Sequence, residues 1–302
     1  MPGRAYVTLG ATMTGFLRHI AACNTHDPAR YRPFRVAGQV VGCVRADLVD
    51  TLPALGDVFE PVSAESVDGS GGGIALAPRF TTPDQRSRAL AFALDRLLAA
   101  GVLKKLRREA YPVLTRWGAE PLATIDRGAV PLFGLKSFGL HVNGYVRRAD
   151  GLHLWVGKRA MDRGIAPGQY DNLVAGGQPA GLTLAENLVK EAAEEAGLDA
   201  ATALTARPVG HIAYRMDNHI GLKDDTLFCF DLELGEGVVP RNTDGEVERF
   251  ELWPVARVLE SVRDTDDWKF NVNLVVIDFL IRHGIIGPDH PEYLALGQGL
   301  RR

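Results

Sequence analysis

The sequence predicts two α/β units in one chain: an α+β accessory module over residues 1–130 and an α/β/α sandwich over residues 131–302. Three observations lead there. At 302 residues the chain is long for one domain, and about two are expected at this length. Beyond a break near Gly128–Gly134, strand-like runs alternate with two principal helical patterns, which suits a sheet covered by helices on both faces. Finally, residues 176–198 join a glycine-rich turn to an amphipathic helix carrying clustered carboxylates.

Within the first module, Phe16 to Ala22 reads as a short helix and Phe34 to Cys43 as a strand containing Gly38 and Gly42. Residues 68–74, Asp-Gly-Ser-Gly-Gly-Gly-Ile, lack the Gly-Lys-Ser/Thr ending of a phosphate loop and read as a mobile turn. A long amphipathic helix runs from Thr82-Pro83 to about Leu98 and stops near Gly101. The basic cluster Lys104, Lys105, Arg107 and Arg108 reads as a solvated helical face. In the second unit, Gly139 to Arg148 and His153 to Gly157 read as strands joined by a turn at Asp150-Gly151. A loop over Arg163 to Gly168 precedes a further strand and the glycine turn. Arg207–Tyr214 and Leu227–Leu234 read as strands, and Trp253–Arg263 and Leu274–His283 as helices.

The helix after the glycine turn has both ends written in. Thr183 followed by Glu186 fits a capping box. Gly197 followed by Leu198 fits a left-handed C-terminal cap. At about 100° per residue, Glu191, Glu194 and Glu195 fall in one arc, and Leu188, Val189, Ala192, Ala193 and Ala196 are placed opposite. Three carboxylates so close destabilise an isolated helix, whereas a hard divalent cation turns that repulsion into binding. Gly176, Gly177 and Gly181 allow backbone to approach a metal or phosphate closely.

This stretch resembles the Nudix box, in which Gly, five residues, Glu and seven residues precede Arg-Glu-apolar-x-Glu-Glu-x-Gly-apolar. Gly176 opens it, and Lys190-Glu191-Ala192-Ala193-Glu194-Glu195-Ala196-Gly197-Leu198 closes it. Leu182 stands where the pattern has its first Glu, which in the family is mostly a structural partner of the loop, and Lys190 stands for the Arg. Segments 143–147, 155–159, 167–172, 242–247 and 273–279 are together similar to a Nudix subgroup related to thiamine metabolism, whose members are in some cases fused to thiamine pyrophosphokinase. The accessory module precedes the Nudix unit throughout that subgroup. The resemblance implies a Nudix sandwich with a mixed sheet. It also implies a hydrolase using Mg²⁺, with Mn²⁺ able to substitute, on thiamine diphosphate or its oxidised analogues, giving monophosphate and orthophosphate.

On that footing Glu191, Glu194 and Glu195 are expected to hold metal, with the Gly176 carbonyl as a fourth ligand and Lys190 orienting Glu191. Glu246 and Glu248, in the polar stretch Asp244-Gly245-Glu246-Val247-Glu248, are candidates for the base that takes a proton from water; an ordinary acidic turn is the other reading. Arg159, Lys158 and Arg147 are candidates to meet the phosphates. Asp171 and Asn172 could read a heteroaromatic ring, with Tyr170 or Trp155 stacked on it.

Composition limits the alternatives. A net charge of −3 gives no general affinity for nucleic acid. No run approaches the length of a membrane span, and the N-terminus is a poor signal peptide. The three cysteines, Cys23, Cys43 and Cys229, show no metal spacing or disulfide framework, and a cytoplasmic location is expected. The eight histidines show no pair at ligand spacing, so no zinc site is expected. The expected partner is a small diphosphate, bound by a monomer or homodimer. Two rival readings remain: a Nudix hydrolase of another nucleoside, sugar or isoprenoid diphosphate, and a non-catalytic Nudix ligand sensor.

Overall fold

A computed structural model describes residues 15–52, 57–63 and 72–301. The described residues open with helix α1 (Leu17–Cys23), then form strands β1 (Tyr31–Val36), β2 (Gln39–Arg45), β3 (Phe59–Val62) and β4 (Gly73–Leu76). These pair in the order β2-β1-β4-β3, with only β1 and β4 parallel. Helix α2 (Pro83–Ala99) follows, then a hairpin of β5 (Ala110–Val113) and β6 (Ala123–Asp126). Phe34, Ile74, Leu90, Leu94, Leu97, Val113 and Phe133 share the core of this first lobe.

Several expectations change here. The single strand expected over Phe34–Cys43 is a hairpin, because Ala37 and Gly38 both take positive φ and turn the chain back. Residues 104–108 are not helical; Asp126 accepts the amides of Arg107 and Arg108 at 2.9 and 2.7 Å, holding that stretch in an irregular conformation. The glycine run at 68–71 lies outside the described residues, and Gly73–Leu76 is strand β4.

The second lobe is built on β7 (Lys136–Arg148), β8 (Gly151–Arg159), β9 (Tyr170–Asp171) and β10 (Val174–Gly177). Helices α3 (Leu184–Ala196) and α4 (Ala200–Ala203) follow, then β11 (Arg207–Asp217), β12 (Leu222–Glu233) and β13 (Val247–Pro254). Helices α5 (Val255–Asp264), α6 (Val272–Arg282) and α7 (Tyr293–Gly299) complete the chain. The main sheet runs β11-β12-β7-β8-β13, with β10 paired to β7 and β9 to β8. It is mixed: β12 lies parallel to β7 and the other pairings are antiparallel. Trp253 belongs to β13, and Pro254 caps α5, so that helix starts at Val255.

One face of the sheet packs through Leu140, Val142, Leu173 and Phe230 against Leu188, Ala192 and Ala196 of α3. The other packs through Tyr145, Leu154, Val156 and Tyr214 against α1, α5, α6 and α7. The architecture is therefore an α/β/α sandwich with a mixed sheet, preceded by a smaller α+β lobe. Among the described residues, no helix is long and apolar enough to cross a membrane.

The lobes do not divide the chain at 130/131. Phe16, Ile20 and Cys23 are buried with Val258, Val262, Trp268, Leu296 and Leu300 in the second lobe, and Arg18 pairs with Asp266. Helix α1 thus packs on the sandwich, because its short apolar stripe finds its cover there.

Candidate active site

The glycine strand β10 and helix α3 face each other across the site. The α3 ends are as expected: Thr183 Oγ accepts the Glu186 amide at 3.2 Å while a Glu186 carboxylate oxygen accepts the Thr183 amide at 2.8 Å. Gly197 sits at φ 63°, and the Leu198 amide reaches back to the Ala192 carbonyl at 3.1 Å. The loop before the helix is held by polar side chains. Fully buried Asn187 donates to the Gly177 carbonyl at 2.8 Å and to Gln178 Oε1 at 3.2 Å, and Gln178 donates to the Leu182 carbonyl at 2.7 Å. Leu182 itself is exposed, so Gln178 and Asn187, not packing around Leu182, tie down this glycine-rich loop.

The three carboxylates are not an open face opposite the apolar residues. Glu195 is only 8% exposed, beside Leu188 in the buried arc and between it and Glu191; Glu194 is outside that arc. Glu195 accepts the Ala175 amide at 2.7 Å. Burial pushes its carboxyl well above the ordinary value, and the negative charges of Asp171 and Glu191 push it the same way. Glu191 is also raised, by burial first and by Glu194 and Glu109. Its fit depends on glycine: a Cβ on Gly176 would lie 2.3 Å from the Glu191 carboxyl carbon. The Gly176 carbonyl faces Gly139 of β7, so the α-carbon, and not the carbonyl expected as a ligand, is set against Glu191.

Lys190 bridges Glu191 and Glu194, its ammonium 3.0 and 2.8 Å from their oxygens. It is a monovalent cation between two of the three carboxylates. Among the described residues, no three acidic, histidine or cysteine side chains converge as a ready-made metal cage.

The other expected residues are dispersed. Arg159 is turned inward: Nη1 contacts Asp171 at 2.7 Å, while Nε and Nη2 donate to the carbonyls of Ile165 and Ala166. Asp171 also pairs with Lys269 at 3.0 Å, and despite burial Lys269 and Arg159 hold its carboxyl below the ordinary range. Asn172 is consumed by His141, at 2.7 Å, and Asn143, at 2.8 Å. Expected to contact substrate, these three residues instead form buried polar links between strands, because each finds a partner inside the sandwich. Lys158 lies 4.2 Å over the Tyr170 ring, and Tyr170 packs edge-on against Trp253 on the α5–α6 side of the sheet, away from α3. Trp155 is buried on the α3 side with its indole N–H unpaired. Arg147 sits by the β7–β8 turn, 3.4 Å from Glu233.

Glu246 pairs with Arg163 at 2.6 Å, and Glu248 with Arg249 at 2.6 Å. Their loop is brought to the end of α3: the Arg241 amide donates to the Ala196 carbonyl at 2.9 Å, and Thr243 Oγ to the Ala193 carbonyl at 3.0 Å.

Sequence reasoning missed the β5–β6 hairpin. It lies along the box loop, with the Ala180 amide donating to the Ala110 carbonyl at 2.8 Å. A Cβ on Gly177 would lie 1.6 Å from the Tyr111 hydroxyl, so glycine is required for this approach. The hairpin also carries Trp117, 42% exposed, onto Phe138 of β7 and Phe228 of β12, with ring centroids 4.8 and 4.7 Å away. Phe138 neighbours the box, since the Gln178 amide donates to its carbonyl at 2.8 Å. The alternation in Ala110–Val113 and Ala123–Asp126 is the sequence signal for these strands.

A family model described as a domain of unknown function, DUF4743, matches residues 15–137. The chain is 40% identical over 291 residues to Nudix hydrolase 24, chloroplastic, of Arabidopsis thaliana, covering 96% of this chain and 78% of that one. Nudix hydrolase 20, chloroplastic, of the same plant is likewise 40% identical over 292 residues, with the same coverage. Among solved structures, the Nudix domain of Shewanella oneidensis NrtR, complexed with ADP ribose, is similar at 12% identity and a TM-score of 0.39, over 50% of this chain and 90% of that one. Forty per cent identity sustained across both lobes and through the box helix places the protein: it belongs to the Nudix hydrolase family and is a pyrophosphohydrolase.

Proposed function

We propose that the protein cleaves thiamine diphosphate, or preferentially an oxidised analogue of it, to the monophosphate and orthophosphate, using Mg²⁺ or Mn²⁺. The observation that carries this reading is the exposed ring of Trp117, seated on Phe138 and Phe228 beside the box loop, which suits a diphosphate ending in a planar heteroaromatic ring. The subgroup resemblance in the flanking segments supports the same substrate.

The donor set suits a hard divalent cation. Burial and neighbouring carboxylates raise both Glu191 and Glu195 even though Lys190 contacts the first, so more positive charge than one ammonium would be favourable there. A divalent ion bound by Glu191, Glu194 and Glu195 would neutralise the substrate phosphates and lower the pKa of an attacking water. Lys190, whose ammonium already contacts Glu191, would keep that carboxylate oriented. Glu195 is fixed by the Ala175 amide, which keeps its second oxygen in place without a charge partner. Glu246 or Glu248 serves as the base, delivered by the loop tied to the end of α3. The hairpin excludes water from one side of the box loop. The unpaired cysteines suit a reducing compartment, and we assign the protein to the cytoplasm.

Phosphate release measured across thiamine diphosphate, oxidised thiamine diphosphate, nucleotide sugars, dinucleotides and isoprenoid diphosphates, with and without Mg²⁺, tests the reading. The expected result is Mg²⁺-dependent release with the highest kcat/KM on an oxidised thiamine diphosphate. A higher kcat/KM on a nucleotide sugar would overturn the substrate; release unaffected by chelation would overturn the metal.

A further inference from the structure

The arginines and lysine expected to meet phosphate are committed elsewhere, yet a cation does stand at the box. Arg127 follows β6, and its backbone is fixed from both sides. Asp126 accepts the amides of Arg107, Arg108 and Gly128, and the Arg127 amide donates to the Glu109 carbonyl at 2.8 Å. The side chain reaches the box loop: a Cβ on Gly177 would lie 3.7 Å from the guanidinium carbon. Arg127 also lies over the Tyr111 ring, 5.7 Å from its centroid.

The group is crowded by protein yet 50% of its side chain remains accessible, as expected of a residue lining a cleft mouth. Among the described residues its ionic partner is Glu109, at 2.9 Å with both side chains partly exposed, an arrangement of small net value. Burial works against the charge, but the carboxylates of Glu109 and Glu191 favour it. Arg127 therefore lies within electrostatic reach of Glu191, a carboxylate assigned above to the metal. A planar fork with free donors, fixed at its base beside the box loop, suits bidentate capture of a phosphate.

We propose that Arg127 of the accessory lobe binds the substrate's diphosphate, exchanging Glu109 for phosphate oxygens when substrate enters. The lobe is then part of the active site and not a separate module. This inference rests on the diphosphate-hydrolase reading for its ligand and on the hairpin geometry for its residue.

Calorimetric titration of the full chain with methylenediphosphonate, a non-hydrolysable diphosphate, in saturating Mg²⁺ tests it. Arg127→Ala is expected to weaken binding by about 10- to 100-fold, with a matching rise in KM for the best substrate and little change in Tm. Arg127→Lys should restore part of the loss. Glu109→Gln, which frees the guanidinium, should tighten binding by about 2- to 5-fold. A purely structural ion pair predicts the opposite for Glu109→Gln: lower Tm and no tighter binding. Unchanged affinity in Arg127→Ala, no tightening in Glu109→Gln, or no binding by the unaltered protein would each overturn the proposal. The substrate reading is judged separately. Arg127-dependent binding with a preference for nucleotide sugars sinks thiamine diphosphate and keeps Arg127. A preference for oxidised thiamine diphosphate with Arg127-independent binding does the reverse.

Discussion

Replacing Glu195 with Gln should make the metal-free protein more stable while removing its activity. Glu195 is buried, accepts a backbone hydrogen bond from Ala175, and has Asp171 and Glu191 as negative neighbours that outweigh the positive Lys269. An amide oxygen can keep the Ala175 contact without the charge. Neutralising a strained functional group of this kind is worth about 1–2 kcal/mol, or a Tm rise of roughly 1.5–3 °C in a chain of this size. The sign with pH follows from the raised carboxyl. Below the ordinary value of 4.5, folded and unfolded states both carry the proton, and the variant gains nothing. Above it, the unfolded chain ionises first, so unaltered protein loses stability as pH rises toward the folded-state value, and the variant's advantage grows. Thermal melts in EDTA at pH 4.5 and pH 8 read this directly. Mg²⁺ should reverse the ranking at pH 8, because it stabilises the charged form and binds Gln poorly. A Glu195→Gln protein less stable than the parent in EDTA at pH 8 would refute the reasoning.

Three further outcomes are expected. Trp117→Ala should raise KM for a thiamine diphosphate substrate by about 2- to 10-fold and leave methylenediphosphonate affinity unchanged; equal losses on both would show that the ring does not rest there. Asn187→Ala removes two hydrogen bonds that tie the box loop to α3, costing about 2–3 kcal/mol, seen in denaturant melts together with faster amide exchange over residues 177–183. Burial holds His141 neutral down to about 4, from an ordinary 6.5, so the unfolded chain takes up its proton first as pH falls. Stability should drop by roughly 3 kcal/mol between those pH values, and His141→Gln should flatten that limb when melts are compared at pH 4 and pH 7.

Local chemistry was the legible part of this chain. The capping box at Thr183, the left-handed Gly197 and the extent of α2 depend on residues within a few positions of one another. Glu195 was misplaced because a charged residue was assigned to solvent by type, and here it is buried against strand β10, where the Ala175 amide donates to it. Asn187 and Gln178, polar and near the helix start, were the clue that this face is not apolar. Arg159 and Asp171 were read as substrate contacts because a strand-end cation and a polar loop look accessible one at a time. Their pairing needs β8 and β9 side by side, which sequence spacing does not reveal. Trp117, Tyr111 and Arg127 went unnoticed because their roles depend on contacts with β7, β12 and the box loop.

The position of α1 has a consequence for how the chain is made. Its partners come from the far end of the sequence: the Phe16 amide is bonded to Glu292, 276 positions later, and Cys23 meets the Phe270 carbonyl 247 positions later. The first lobe can collapse around its own core as it emerges. Helix α1 cannot, and at ribosomal rates its apolar stripe waits about 12–50 s for α5 and α6 to be synthesised. During that interval Phe16, Ile20 and Cys23 form a chaperone-accessible surface on a nascent chain whose first lobe is otherwise finished. Once α1 docks, both ends of that lobe are anchored on the sandwich, so it behaves as an insertion within the catalytic lobe and not as a head on a tether.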